Sequence, residues 1–364
     1  MKSVFLDKIG SVTLNCRLSR EVRLGEEIPA LEGGVVAVRV LTSKGNYNQL
    51  ELPSGRFSKV KPGDVAAVAL GHRKALFGYS GHVPSAVAVG DRLQLLNLGG
   101  VLGVCDSVNP DFGEPFQCEV LGQVLAFPFL AQRIGIPAHI SQGAIALSDR
   151  LDVKNVPIIA VVGSSMNAGK TAAACALVQA FSHRGFVVAA AKATGVSLRR
   201  DILAMEDAGA RKTLLFTDLG IVTTTADVAP RSARTLLTEL AASGPDVIVL
   251  ELGDGLLGLY GVDAILNDPD LRTVFKAVVL AASDPVAAWG GVQLLKDRHG
   301  LRTDVVTGPA TDNDAGTVLV QRQTGVPGRN ARSAGEALAD VVLEALGLPI
   351  AGPFAASQPP GGAP

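Results

Sequence analysis

Lys170 and Thr171 stand at the end of a run of small and polar residues, Gly163, Ser164, Ser165, Met166, Asn167, Ala168 and Gly169, with Ala172 behind them. Residues of these types in this order suit the binding of a polyphosphate. Backbone N–H groups of a glycine-bounded loop and of the helix after it converge on one anion, the ammonium reaches its terminal phosphates, and the threonine hydroxyl offers an oxygen to magnesium. Gly163–Ala172 is therefore the candidate nucleotide cradle, Lys170 a candidate catalytic cation and Thr171 a candidate metal ligand. The common pattern is G-x-x-x-x-G-K-[ST], and this chain has one residue more between Gly163 and Gly169. Either Ser164 stands where the first glycine usually does, or the loop carries an extra residue. The competing reading is a strand-to-helix turn with an incidental lysine.

For the cradle to work, a strand must deliver Gly163 and a helix must start at Lys170. Pro157–Val162 is a short, largely β-branched apolar run, the length of a strand covered on both faces. Ala173, Ala176, Leu177, Ala180 and Phe181 then recur at helical steps until Gly185 stops the pattern. The alternation continues with strand Phe186–Ala191 ending at Lys192, a helix around Ile202–Ala208, strand Thr213–Phe216 and helix Ala229–Ala242. Strand Val247–Leu250 ends at Glu251, strands Ala277–Ala281 and Asp304–Thr307 follow, and Ser333–Leu346 is a last amphipathic helix. The implied fold class over 156–348 is α/β, a parallel sheet with helices on both faces.

In such a sheet ligands bind outside the carboxyl ends of the strands. Lys170, Lys192, Glu251, Asp312 and Asn313 all fall just after strands, so the topology can gather them without their being sequence neighbours. Glu251 ends its strand as an acid able to bind magnesium directly or through water. The alternative is a carboxylate merely exposed at a strand end. Asp254, between Gly253 and Gly255, is divided between a site residue and a turn residue.

The stretch GSSMNAGKTAAACALVQAFSHRGFVVAAAKATG resembles the start of dethiobiotin synthetase and its relatives, the branch of P-loop proteins that includes ATP-dependent carboxylate- and amide-forming enzymes. The shared features are the loop spacing, the Ala/Cys-rich helix behind Gly-Lys-Thr, and a lysine ending the next strand. The likeness is close over Ile158–Gly195, topological as far as Gly347, and does not reach the chain before residue 150. It implies a P-loop NTPase fold, ATP and Mg2+ as cofactors, and a homodimer. It also implies that Lys192 faces the reacting groups as a second catalytic cation, that Asp201 joins Thr171 and Glu251 as a metal ligand, and that Asn313 contacts adenine. Asp201 has another reading, because an acid in the first turn of a helix stabilises that end without a metal. Arg199 and Arg200 could hold an acidic substrate or be solvated. The chain departs from the family at AKATG, where the family has Lys-Pro-Val, and at Glu251-Leu-Gly-Asp-Gly, where it has a Glu-Gly-Ala-Gly-Gly-like motif. The absence of an Asn-Lys-x-Asp guanine-reading signature favours ATP over GTP.

The chain before this, residues 1–130, reads as an all-β barrel or sandwich. Short apolar runs, Val35–Leu41, Val65–Leu70, Arg92–Leu98 and Val101–Cys105, are separated by Gly, Pro, Asp and Asn clusters. Two pieces look alike, VKPGDVAAVALG from Val60 and VAVGDRLQLLNLGG from Val87, which suggests an internal repeat. The segment Gly71–His82, with His72, Arg73, Lys74, Tyr79 and His82, is either a ligand loop for an acidic substrate or a solvated hairpin tip. Residues 131–155 read as a helical connection, with a helix around Ser141–Leu147, and residues 349–364 as a disordered tail.

With 364 residues the chain has room for two domains, and 48% hydrophobic against 18% charged residues marks it as an ordinary folded protein. A net charge of −1 without a basic block argues against nucleic-acid or membrane partners. Cys16, Cys105, Cys118 and Cys175 lack C-x-x-C spacing and read as reduced thiols. No signal-peptide core or membrane span is visible, so the expected compartment is the cytoplasm. The expected function is an ATP-dependent enzyme that moves the γ-phosphoryl group to a small carboxylate-like acceptor, a small acidic metabolite. The alternatives are an NTPase switch or chaperone whose hydrolysis drives a domain movement read by a protein partner, and a module that binds nucleotide without turnover.

Overall fold

The computed structural model describes residues 2–128 and 134–350. Of the tail expected over 349–364, residues 351–364 lie outside the described residues. The chain divides into two units that do not follow its linear order. One is Met1–Ala146 with Val196–Arg200 and Phe216–Thr224, and the other is Leu147–Gly195, Asp201–Leu215 and Thr225–Pro364.

The first unit is built on β1 (Val35–Val40), β2 (Val65–Leu70), β3 (Arg92–Leu95), β4 (Val101–Val108) and β5 (Gln117–Ala126). Strand β5 pairs with β1, β1 with β2, β2 with β4, β4 with β3, and β3 again with β5. The ring closes, so the expected barrel is formed and these strands lose the open edges that invite aggregation. Alternation along β1 sends Val36, Val38 and Val40 to one core with Val68, Leu93 and Leu102, and Val35 and Ala37 to another with Leu6, Val12 and Ile140.

The sequence repeat is a structural one. Gly63 donates to the Val40 carbonyl and Asp64 accepts from Val40, while Gly90 donates to the Val120 carbonyl and Asp91 accepts from Val120, all at 2.8–2.9 Å. The Asp64 and Asp91 carboxylates accept from the N–H groups of Lys61 and Ala88, each at 2.7 Å. Gly63 and Gly90 have φ of +89° and +93°, a conformation that disfavours any residue with a Cβ, which accounts for Gly-Asp in both copies.

The helix expected around Ser141–Leu147 is not formed. Among the described residues of 131–155 there is a two-residue strand, Ile136–Pro137, followed by turns. Gly143 sits in the left-handed region at φ +77°, and Ile145 donates to the Asp218 carbonyl instead of continuing a helix.

The second unit holds a sheet of β6 (Ile158–Gly163), β7 (Val188–Lys192), β8 (Lys212–Leu215), β9 (Val247–Glu251), β10 (Phe275–Ala281) and β11 (Val305–Thr307). Their order is β8-β7-β9-β6-β10-β11, and every pair is parallel. The helices are α1 (Lys170–His183), α2 (Arg200–Asp207), α3 (Ala229–Ala241), α4 (Val262–Asn267), α5 (Pro269–Val274), α6 (Pro285–His299), α7 (Asp314–Thr324) and α8 (Gly335–Leu346). Ile159 and Val161 of β6 pack on α1 and α8 through Ala173, Leu177 and Leu338. The other face carries Leu280, against which α6 packs through Gly291. From β6 the chain passes to β7 on one side and later fills β10 on the other. The crevice therefore opens at the carboxyl end of β6, where Gly163 stands.

Candidate functional site

The loop Gly163–Gly169 is held from three sides. Ser164 donates to the Ala281 carbonyl at 2.9 Å, and Leu256 donates to the Gly163 carbonyl at 2.9 Å. The backbone of Gly308 packs against Ala168 and Gly169. Asn167 at φ +63° and Gly169 at φ +98° turn the chain sharply into α1, whose start no side chain caps. Uncapped N–H groups at that point, with the positive end of the helix dipole, are what an anion needs.

Lys170 folds back along this loop and donates to the Ser165 carbonyl at 2.8 Å. Its path explains Gly163: a Cβ there would lie 2.8 Å from both Cδ and Nζ of Lys170. Only 6% of Lys170 is exposed, and burial lowers its pKa to about 8, against the pull of the Glu251 carboxylate. A buried ammonium resting on a neutral carbonyl is poised for an anion that would hold it better.

Lys192 and Glu251 end adjacent strands and stand side by side in register. The Lys192 ammonium pairs with Asp201, in the first turn of α2, and lies 3.8 Å from Glu251 Oε1. Glu251 is 1% exposed and its Oε2 makes no hydrogen bond. Burial raises its pKa, while the Lys192 charge and the neighbouring Thr171 hydroxyl work the other way. Four residues singled out in the sequence, Lys170, Lys192, Asp201 and Glu251, thus meet at the ends of β7 and β9.

Oxygen donors of this kind suit magnesium, which takes one or two carboxylates and completes its shell with water and phosphate. Thr171, Glu251 and Asp201 are the residues that would hold it, and the unpartnered Glu251 Oε2 is a ready donor. Among the described residues no group of three or more His, Cys, Asp or Glu could by itself hold a metal ion.

Asp254 follows Glu251 in a left-handed turn at φ +77°. It is 6% exposed, and neither carboxylate oxygen makes a hydrogen bond of good geometry. Burial raises its pKa, opposed by nearby N–H groups of Gly255 and Leu259 and by the Lys170 charge. Asn313 is the N-cap of α7, its side chain accepting from Gly316 at 2.8 Å. Asp312 accepts from Asn330 at 2.9 Å. The brace Gly308–Pro309 escaped the sequence reading, although a Gly-Pro pair after a strand marks a fixed turn.

In the first unit, Arg199 donates its backbone N–H to Glu51 at 2.8 Å and its guanidinium to the Pro53 carbonyl. The Gly71–His82 segment is a hairpin with an exposed tip, but Arg73 and Tyr79 are buried in it. Arg73 donates to the Tyr47 hydroxyl and the Leu96 carbonyl, and His82 pairs with Asp106 at 2.8 Å. All four cysteines are free thiols.

A parallel sheet whose central strand runs into a glycine-bounded loop, with the lysine of Gly-Lys-Thr laid along it, is distinctive. The second unit is an α/β fold, a parallel sheet flanked by helices, like that of P-loop NTPases. No family model matches the chain, and no curated protein matches it. Among solved structures, this chain is similar to the signal recognition particle receptor FtsY from Elizabethkingia anophelis at 16% identity and TM-score 0.37, over 53% of this chain and 67% of that one. It is similar to a ParA family ATPase from Chlorobium tepidum at 14% identity and TM-score 0.32, over 53% of this chain and 98% of that one. It is also similar to a duf1611 family protein from Anabaena variabilis at 15% identity and TM-score 0.38, covering 55% of this chain and 62% of that protein. No described helix is long and apolar enough to cross a membrane.

Proposed function

We propose that this chain binds a nucleoside triphosphate, ATP with Mg2+, on Gly163–Ala172 and transfers its γ-phosphoryl group to a small carboxylate. The observation that carries this reading is the buried Lys170, held over the loop on a neutral carbonyl, next to Lys192, Asp201 and Glu251. Loop N–H groups and the start of α1 would bind the phosphates, and Lys170 would exchange the Ser165 carbonyl for phosphate oxygens. Bound magnesium would polarise the phosphoryl oxygens and offset their charge. A carboxylate oxygen attacks the γ-phosphorus, the bond to the β-phosphate oxygen breaks, and ADP leaves. The resulting acyl phosphate then yields to an amine or another nucleophile, releasing phosphate. Preorganised cations at the developing charge are what such a transfer requires. Asn313 as an adenine contact, a homodimer and a cytoplasmic location belong to the same proposal.

A second reading, a nucleotide-driven switch, is favoured by the segment after Glu251. Leu256 is bonded to Gly163 and Gly255 packs on Ser164 and Ser165, while Leu257 and Leu259 are 68% and 58% exposed. A change in the loop would thus reach an apolar surface. The two readings separate on ATP turnover measured with a library of small carboxylates and with the protein alone. Phosphoryl transfer predicts turnover that depends on one carboxylate. A switch predicts slow hydrolysis indifferent to all of them. Lys170→Ala should abolish nucleotide binding in either case, and unchanged affinity in that variant would overturn both.

A further inference from the structure

The ammonium of Lys192 occupies a place that two acids would otherwise share. It pairs with Asp201 and lies 3.8 Å from Glu251 Oε1. All three side chains are largely buried, at 13%, 11% and 2% exposure. Strand register sets Lys192 beside Glu251, and Gly253 leaves room for the lysine stem, since a Cβ there would lie 2.8 Å from Lys192 Cε. Two buried carboxylates without a cation between them would repel one another and lose hydration together. Lys170 adds a second positive charge from the loop, while Glu251 Oε2 makes no hydrogen bond.

Resting on the assignment of Asp201 and Glu251 as magnesium acids, we propose that Lys192 is an exchangeable counter-ion. Its ammonium holds the two carboxylates together before nucleotide arrives and is displaced from them by the divalent cation, which frees it to meet the anionic acceptor. The acids and the lysine thus serve in both states. Before loading they form an ion pair that keeps the site folded. After loading the lysine becomes a substrate-facing cation, delivered only when the phosphates and metal are in place. A divalent cation that bridges both carboxylates takes the place the ammonium holds, so bridging metal binding and Lys192 release are coupled.

Two measurements on the full chain test this. The first is Mn2+ binding without nucleotide, read from the electron paramagnetic resonance of the free ion. Removing the competitor in Lys192→Met should tighten Mn2+ binding by roughly fivefold or more, the low end of ordinary coupling between sites. Asp201→Asn should weaken it. If Lys192 were only a structural partner, Lys192→Met would bind Mn2+ no better than wild type, and that result overturns the proposal. The second uses the unaltered protein, so it stands even if the variant fails to fold. Lys192 labelling by an amine-acylating reagent, read by peptide mass spectrometry, should rise when Mg2+ and a non-hydrolysable ATP analogue are added. Unchanged or reduced labelling overturns the proposal. Because the Mn2+ measurement contains no nucleotide, a failure of ATP binding itself would be recognised separately.

Discussion

Replacing Lys170 by methionine should stabilise the nucleotide-free protein while abolishing its response to nucleotide. Burial lowers the pKa of Lys170 from an ordinary 10.5 to about 8. At about 1.4 kcal/mol for each pH unit of displacement, holding this ammonium charged in the folded state costs roughly 3 kcal/mol at pH 7. Methionine keeps most of the volume and removes that penalty. It forfeits the hydrogen bond to the Ser165 carbonyl, worth about 1 kcal/mol, whereas the attraction of Glu251 and Asp254 is already contained in the lowered pKa. The net gain is about 1–2 kcal/mol, or a Tm rise of about 2–8 °C for a unit of this size. Melting curves with and without MgATP are the assay. Wild type at a nucleotide concentration of ~100 times Kd should gain about 2.7 kcal/mol, and Lys170→Met nothing. The pH dependence has a fixed sign. The folded value lies below the unfolded one, so the folded state binds fewer protons between about 8 and 10.5 and this contribution makes wild type more stable as pH rises through that window. Lys170→Met should lack that rise. A lower Tm in the variant together with a retained MgATP shift would refute the reasoning.

Glu251→Gln keeps the shape of the site but removes the acid beside Thr171. Nucleotide binding measured by calorimetry should persist, while turnover falls by about two orders of magnitude or more, as for loss of a group that stabilises developing charge. Gly308→Ala should destabilise the fold by at least ~2 kcal/mol in urea titrations and weaken nucleotide binding. Its φ is +88° and the new Cβ would lie 2.3 Å from the Ala168 carbonyl of the loop. Gly325→Ala, at φ +71° with nothing within 4 Å, is the matched control and should lose about 1–2 kcal/mol without touching binding.

Much of this architecture was legible because hydrophobic periodicity and turn chemistry act locally. The strand before Gly163, the helix after Gly169 and the acids and lysines at strand ends all follow from residue patterns and from where parallel sheets place their ligands. The two Gly-Asp turns were legible as a repeat because each needs a left-handed glycine followed by an accepting carboxylate. Helices α4 to α7 were not anticipated. The pairs Pro269-Asp270 and Gly290-Gly291 interrupt the apolar period there, and tertiary packing supplies what propensity does not. Asn313, three residues ahead of the Gly316 N–H that it caps, carried an N-cap signal that the adenine reading overlooked. The expected Ser141–Leu147 helix failed because Gly143 is left-handed and the Ile145 N–H bonds to the Asp218 carbonyl, a partner more than seventy residues away that no local pattern reveals. Nor could spacing show that Lys192 rests between the acids it was expected to accompany.

Hydrogen exchange at the backbone amides of residues 164–172, with and without MgATP, bears most directly on the central claim. If the loop wraps a triphosphate, these amides should slow markedly on addition of nucleotide in wild type and remain unchanged in Lys170→Ala. Nucleotide that binds while leaving the exchange of these amides untouched would contradict the assignment of the cradle and the mechanism built on it.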